Sequence, residues 1–438
     1  MARLTIVNNN DSPNYLNSLG QTKSVCSTCL KEISANIILE EGKIFLQKFC
    51  EEHGAEKVLE SSSQDFYFYQ PTPTGSCCGG GSCCETSTQK EPLGPTCVAL
   101  IEITDSCNLE CPVCFASSSP KNRYLMSIQE FIDRVEGTIK KKGVIDILML
   151  SGGEPLVHPE LVKFLAYLDN QPQIKRCFIN TNGILIAKSE KTRKLLEQYS
   201  QKVEVYLQFD SLKTESLDRY RAEENLIQDK VRAVSYLEEL KIPTTLAAVV
   251  TKQTTSEEIS KLVEFCFQYQ KVRGITFQPL FASGRNHLDY NLEERITTPD
   301  VVKLVSEAIA QFTPSSFVNL PCSHPNCAIV SYFYRAAGKI WPITENLELS
   351  EDLKNRINYN LEDLKKCGCD NTDLGNFIQA SELSADNSFR IVIKPFMDRF
   401  SLNRHRSAQC CTHVVGPESE LMSFCEYNIF RENLSWNR

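Results

Sequence analysis

The chain has no apolar run approaching the roughly 20 residues that a membrane-spanning helix needs. Its opening residues, Met1-Ala2-Arg3-Leu4-Thr5-Ile6-Val7, hold too short an apolar stretch for a secretory leader. Basic runs are missing too, and a net charge of −8 offers no footprint for a nucleic-acid partner. Nor does a hydrolytic Ser, His and Asp arrangement emerge. These absences argue against a membrane-spanning, secreted or nucleic-acid-binding protein and predict a cytoplasmic one. Cysteine, by contrast, is abundant, with 20 in 438 residues. Thiols stay reduced in the cytosol, so clustered cysteines there are expected to bind metal rather than pair as disulfides. The apolar content, 42%, is ample for a core, and the length predicts two or three domains.

Three cysteines organise the chain. Cys107, Cys111 and Cys114 stand at the spacing Cys-x3-Cys-x2-Cys, directly after the strand-like run Val98-Ala99-Leu100-Ile101-Glu102-Ile103. A cubane iron–sulfur cluster is usually held by four thiolates. Three thiolates with no fourth in the same run suggest a cluster with one iron left open to a non-protein ligand. The plainer readings are three buried thiols, or three of four ligands of a structural zinc, although zinc sites usually present two Cys-x2-Cys knuckles.

With Phe115 following, this run resembles the signature of the radical S-adenosylmethionine (radical SAM) superfamily. Ser151-Gly152-Gly153-Glu154-Pro155, about forty residues on, resembles that superfamily's glycine-rich SAM motif. The order and separation of the two motifs carry the resemblance together. It implies that the open iron chelates the amino and carboxylate groups of SAM. It further implies that a reduced cluster cleaves SAM to methionine and a 5′-deoxyadenosyl radical, which abstracts hydrogen from an unactivated carbon.

Before these motifs, Cys26-x2-Cys29 and Cys50-x2-His53 flank a hairpin predicted to turn at Glu41-Gly42. Two knuckles around a hairpin are the layout of a metal ribbon with Cys26, Cys29, Cys50 and His53 as ligands, holding iron or zinc in a structural role. Residues 71–96 read as a flexible Gly/Ser linker in which Cys77, Cys78, Cys83 and Cys84 either wrap a metal or form a redox-active tail.

From Val98 to Leu280, strand-like segments (97–103, 145–150, 175–180, 203–209, 244–250 and 274–280) alternate with amphipathic stretches (126–141, 159–169, 214–240 and 256–269). Such repeats predict parallel pairing through right-handed crossovers. Six units make an α/β fold, a partial (β/α)6 barrel, whose chemistry lies at the C-terminal strand ends. The motifs fall at those ends. Gly152 and Gly153 read as glycines that let backbone approach a ligand, with Glu154 and Pro155 completing the motif, or as an ordinary tight turn. Asn182, Gln208, Asp210 and Ser211 follow as candidate SAM contacts. A bare turn competes at Asn182, and a helix N-cap at Asp210 or Ser211.

The last third adds cysteines in groups: Cys322 with Cys327, Cys367 with Cys369, and Cys410/Cys411 with Cys425. Grouping points to auxiliary 4Fe–4S clusters rather than buried single thiols such as Cys177 and Cys266. His324 and His413 read as ligands or as cap and loop residues. The expected domains are residues 1–70 (metal ribbon), 71–96 (linker), 97–300 (barrel) and 301–438 (auxiliary clusters).

The ribbon, the barrel, the Pro321-Cys322-Ser323-His324-Pro325-Asn326-Cys327 element and the Cys410-Cys411-Thr412-His413 tail together resemble a narrower group. These are the archaeal tetraether lipid synthases, whose members are often named as pterin methyltransferases of the methanopterin pathway. That resemblance implies carbon–carbon bond formation on a lipid-like substrate, with a low-potential donor of ferredoxin or flavodoxin type. A peptide-modifying radical enzyme and a non-enzymatic metal-handling protein are the alternatives.

Overall fold

The computed structural model describes residues 18–69, 96–221, 226–286, 291–310, 312–319, 323–336, 339–344, 387–434 and 436. The linker cysteines Cys77, Cys78, Cys83 and Cys84, and Cys322, Cys367 and Cys369, lie outside these residues.

The N-terminal ribbon is an antiparallel sheet of β1 (Ser18–Val25), β2 (Glu32–Glu40), β3 (Lys43–Cys50) and β4 (Gly54–Ser61). Glu41 and Gly42 both have positive φ, as a two-residue hairpin turn of the primed type requires. The ribbon is docked rather than tethered. Buried Lys48 donates to the carbonyl oxygens of Val25 (2.8 Å) and Arg399 (3.0 Å), and Phe68 N–H donates to Asn326 Oδ1 (2.8 Å). Val25 packs with Met397, Leu402, Cys425 and Ile429 of the C-terminal region.

The barrel runs β5 (Val98–Thr104), the short β6 (Val113–Cys114), α1 (Ile128–Lys142), β7 (Ile145–Gly152), α2 (Leu161–Asp169), β8 (Ile174–Thr181), α3 (Ile184–Lys188), α4 (Glu190–Gln198), β9 (Val203–Gln208), α5 (Thr214–Arg221), α6 (Leu226–Glu239), β10 (Thr244–Val250), α7 (Ser256–Phe267) and β11 (Val272–Pro279). Caps fix the helix starts: Ser127 Oγ accepts from Glu130 N–H for α1, and Thr255 with Glu258 forms a capping box for α7. The predicted strands form at the predicted places. Within the amphipathic stretch 214–240 the described residues form α5 and α6.

Beyond the barrel come β12 (Arg285–Asn286), α8 (Thr298–Ala308), β13 (Val318–Asn319), β14 (Ile329–Ala336), β15 (Lys339–Pro342), β16 (Ser388–Ile393), α9 (Arg404–Ala408), β17 (Thr412–Val415), β18 (Leu421–Ser423) and α10 (Phe424–Phe430). The described strands of 301–438 join the barrel's sheet. In the order β13-β14-β16-β11-β10-β9-β8-β7-β5-β17-β18, β16 adds in parallel to β11, and β17 adds in parallel to β5. The C-terminal region thus lengthens the barrel arc at both edges. Among the described residues the arc stays open, with β16 pairing next with β14 and β17 with β18, both antiparallel.

Alternation along each strand sorts its side chains. Val203, Val205 and Leu207 of β9 join the helix-facing core, as do Ile275 and Phe277 of β11 and Phe389, Ile391 and Ile393 of β16. The intervening residues line the barrel's hollow.

Candidate active site

That hollow is a cavity of about 260 Å³ whose lining includes Cys107, Cys111 and Cys114. The cysteine loop that leaves β5 is short of regular structure, so its backbone groups are satisfied by other elements. Arg285 Nε donates to the carbonyl oxygen of Cys111 (2.5 Å), and Arg285 Nη2 to that of Ser118 (2.8 Å). Arg221 Nη1 donates to the carbonyl oxygen of Val113 (2.9 Å), and Arg431 Nη1 to that of Ala116 (3.1 Å). A two-stranded pairing of β6 with β12 completes the clamp. The thiols share an apolar nest with Leu109, Ile184 and Leu226.

The chemistry of this nest fits a cluster of metal cations. Burial pushes the Cys107 thiol up to about 12, with Glu154, Cys111 and Cys114 adding to the rise. Protons or a cationic group must therefore balance three thiolates there. Leu109 N–H donates to Cys107 Sγ (3.4 Å), a contact that suits a thiolate ligand.

The glycines of the motif pack against the cysteine loop. A Cβ on Gly152 would stand 1.9 Å from the Thr104 carbonyl oxygen, and one on Gly153 2.0 Å from that of Ser106. The close approach these glycines permit is to the cysteine loop itself. Gly153 N–H donates to Thr104 (2.8 Å) and Glu154 N–H to Ser106 (2.9 Å). The Glu154 carboxylate accepts from Leu156 N–H (3.0 Å), Thr181 Oγ1 (2.7 Å) and Asn182 N–H (2.7 Å), which ties β7 to the end of β8. Burial pushes this carboxyl up against those donors.

Of the other predicted contacts, Asn182 and Gln208 line the cavity and Pro155 and Ser211 do not. Asn182 Nδ2 donates to Asn108 Oδ1 (2.7 Å) in the cysteine loop. Ser211 Oγ turns to Glu258 (3.2 Å) at the start of α7. Asp210 lines the cavity, yet its carboxylate is gripped by Arg221 Nε (2.8 Å) and Nη2 (3.0 Å) and by Val249 N–H (3.0 Å).

Sequence reasoning missed Arg221 and Lys230. Lys230 is fully buried, with Nζ donating to the carbonyl oxygen of Asn182 (3.2 Å) and to Gln208 Oε1 (2.9 Å). Burial pushes its ammonium down to about 8. A lysine within an amphipathic helix pattern gives no sign of facing inward.

A second thiol group flanks the cavity. Burial raises the Cys410 and Cys425 thiols; after burial, Cys425 and Cys327 add to the rise at Cys410, and Cys327 adds to that at Cys425. Each sulfur receives an N–H: Arg406 Nε to Cys327 (3.2 Å), Thr412 N to Cys410 (3.4 Å) and Met397 N to Cys425 (3.3 Å). Cys411 does not join them. It packs against Cys97 in a separate buried pair, because successive residues entering β17 point to opposite sides. His324 caps a short turn by accepting from Asn326 N–H (3.1 Å), and His413 Nδ1 meets Thr96 Oγ1 (3.0 Å).

In the ribbon, the ligand atoms of Cys26, Cys29, Cys50 and His53 all lie within 4.8 Å of one another, as one ion needs. Burial works to raise the Cys26 thiol, but the N–H groups of Cys29 and Thr28 and the neighbouring thiols outweigh it and bring it to about 6. Cys29→Ser is expected to lower bound metal by one ion per chain and to open residues 18–62 to protease. Metal analysis with limited proteolysis checks both, since a structural zinc contributes about 10–16 kcal/mol in small zinc-finger peptides.

Residues 101–266 match the family model described as Radical SAM superfamily. That match places a radical SAM domain within the chain. The chain is an enzyme, and that family implies a 4Fe–4S cluster and SAM. Residues 18–62 match the HMPTM N-terminal zinc ribbon domain. This radical SAM chain is 26% identical to the 7,8-dihydro-6-hydroxymethylpterin dimethyltransferase of Methanocaldococcus jannaschii, over 93% of each chain. It is 30% identical to the antilisterial bacteriocin subtilosin biosynthesis protein AlbA of Bacillus subtilis, over 32% of this chain and 30% of that one. Among solved structures, Streptococcus suis SuiB bound to S-adenosylmethionine matches 49% of this chain and 47% of its own, at 20% identity and a TM-score of 0.40. No helix among the described residues is long and apolar enough to cross a membrane.

Proposed function

We propose that this radical SAM enzyme abstracts hydrogen from an unactivated carbon of an apolar substrate, with carbon–carbon bond formation as the outcome. In this reading Cys107, Cys111 and Cys114 hold the SAM-binding cluster, and Cys327, Cys410 and Cys425, with Cys322, hold an auxiliary one. The observation that carries it is the cavity. The three loop thiols open into a hollow whose far wall is Val98, Leu100, Ile147, Met149 and Phe178, while Phe424 and Thr412, neighbours of the second thiol group, line its side. When bound, the cluster and SAM supply a single electron and a 5′-deoxyadenosyl radical. The chain's own residues do the rest. The four arginine and strand clamps fix the loop, the apolar wall orients a hydrocarbon and excludes water, and Asn180, Asn182 and Gln208 offer polar contacts near the thiols.

The test is anaerobic reconstitution followed by a low-potential reductant and SAM, assayed for 5′-deoxyadenosine. The parent is expected to form it, and the variant with Cys107, Cys111 and Cys114 all changed to alanine to form none. An iron-loaded parent giving neither cleavage nor a SAM-dependent change in its EPR spectrum would overturn the reading. Products from lipid extracts rather than from peptide precursors would separate the apolar substrate from a peptide.

A further inference from the structure

α10 meets the cysteine loop with one face and carries Cys425 on another. Its Phe424 and Tyr427 pack over Leu100 of β5 and Val414 of β17. Glu102 is the one charged residue of β5 and is buried, so its carboxylate needs donors there. The Tyr427 hydroxyl donates to Glu102 Oε2 (2.8 Å), and Arg431 Nη2, just past the helix, donates to Oε1. The same guanidinium donates from Nη2 to Asn428 Oδ1 (3.0 Å) and from Nη1 to the Ala116 carbonyl oxygen in the loop (3.1 Å). A second tether is aromatic. Phe115, directly after Cys114, meets Phe424, directly before Cys425, edge to face with ring centres 5.5 Å apart. A third runs through Ser283, whose Oγ donates to the Asn428 carbonyl oxygen (3.3 Å). The next residue, Gly284, lies hard against the loop: a Cβ there would stand 2.4 Å from the Phe115 carbonyl oxygen and 2.5 Å from that of Cys114. Phe424, Tyr427, Asn428 and Arg431 recur at helical spacing and share the face that makes these contacts. Cys425 and Ile429 form a different face, packed with Val25, Met397 and Leu402, and Cys425 Sγ accepts from Met397 N–H (3.3 Å). A helix of seven residues carries both faces, and so short an element moves as one body.

We propose that α10 couples the two thiol groups, with Arg431 and Glu102 as the positioning residues through which the hold on Cys425 sets the geometry of the cysteine loop. This rests on the reading of Cys107, Cys111 and Cys114 as ligands of the SAM-binding cluster and of Cys425 as a ligand of a second. The clamps from Arg221 and Arg285 differ in kind, because both belong to the barrel and do not pass through α10. Arg431 needs its fork: a single ammonium at this position does not reproduce the planar donors that meet Glu102, Asn428 and Ala116 together. When Cys425 loses its metal, α10 loses the restraint on that face. The Phe115–Ala116 turn loosens with it, and SAM binding at the first group weakens.

The experiment is a double-mutant cycle of R431K and C425S on the anaerobically reconstituted full chain. SAM affinity is read from the SAM-dependent change in the EPR spectrum, and loop order from hydrogen exchange at the amides of residues 107–118. R431K is expected to weaken SAM binding about tenfold, the factor that one charge-assisted hydrogen bond gives. C425S removes a ligand from the second group and none from the first, and is expected to weaken SAM binding too. The double variant should be no worse than the weaker single one, because both changes act through one helix. Exchange in the loop should quicken in the same pattern. R335K, whose parent guanidinium holds the Tyr269 carbonyl oxygen (2.9 Å) away from the loop, should keep the parental affinity. Parental affinity in either single variant, or effects that multiply in the double one, would overturn the coupling. Should C425S fail to fold, as seen by circular dichroism, C410S takes its place, since Cys410 belongs to the same thiol group and lies off α10. A parent without any SAM-dependent EPR change would sink the reading of the first group as the SAM site. Loop exchange in the same four samples would then decide the coupling alone.

Discussion

Arg221→Met is expected to lower stability by about 3–5 kcal/mol, the loss that follows when one partner of a buried ion pair is removed. The guanidinium and the Asp210 carboxylate form a bidentate pair whose side chains are 10% and 0% exposed. Burial alone would raise the Asp210 carboxyl. The Arg221 charge and hydrogen bonds, Lys230 and the Val249 N–H outweigh it and hold the group below the usual carboxylate range. A depressed folded pKa gives stability that is present above the unfolded pKa, about 3.9. It is lost as pH falls through the lower folded value. In the variant the sign is expected to reverse, because burial is then opposed by Lys230, the Val249 N–H and Gln208 Nε2 without the guanidinium. The folded carboxyl rises above its unfolded value, and the deficit shrinks on acidification as the group takes a proton. Urea unfolding at pH 8 and pH 5 should therefore show a larger gap between variant and parent at pH 8. Adding Asp210→Asn should recover part of the loss. A variant within about 1 kcal/mol of the parent at pH 8 would mean that the pair is not what holds this corner together.

Arg221 also marks where sequence reading stops. The strands of the barrel and the positions of both motifs were legible because each is local: a run of apolar residues, a spacing, a turn. The pattern over 214–240 reads as an amphipathic stretch, and nothing in that period marks Arg221 as the residue that meets Asp210 and the Val113 carbonyl. The alternation Ser388-Phe389-Arg390-Ile391-Val392-Ile393 was equally local, but its partner β11 lies more than 100 residues earlier and no period encodes that pairing. Cys410 and Cys411 mark a third limit. Adjacent thiols counted as one ligand group, whereas the approach to a strand sends them apart, one towards Cys327 and Cys425 and the other onto Cys97. The contact of Gly152 and Gly153 with the cysteine loop has no sequence signal of its own.

That contact gives the second large effect: Gly153→Ala is expected to reduce 5′-deoxyadenosine formation by about 100-fold or more while the barrel stays folded. A methyl at this position would stand 2.0 Å from the Ser106 carbonyl oxygen, 2.6 Å from its carbon and 2.8 Å from the Asp105 oxygen. These are backbone atoms, which no rotamer change can move aside. The clash is relieved only if the loop shifts by roughly an ångström, and Ser106 is the residue directly before Cys107. Displacement on that scale is enough to cost about 10²-fold when it falls on reacting groups. Overpacking itself costs about 1–3 kcal/mol, too little to unfold a domain of this size. Gly143→Ala is the control. Gly143 has φ +78, and nothing lies within 4 Å of where its Cβ would be, so the change carries a backbone cost without touching the cysteine loop. Iron content and SAM-dependent EPR changes should fall in G153A and hold in G143A. Should the two variants lose turnover alike, the loss would be one of general stability, and the glycine would not be what fixes Cys107 in place.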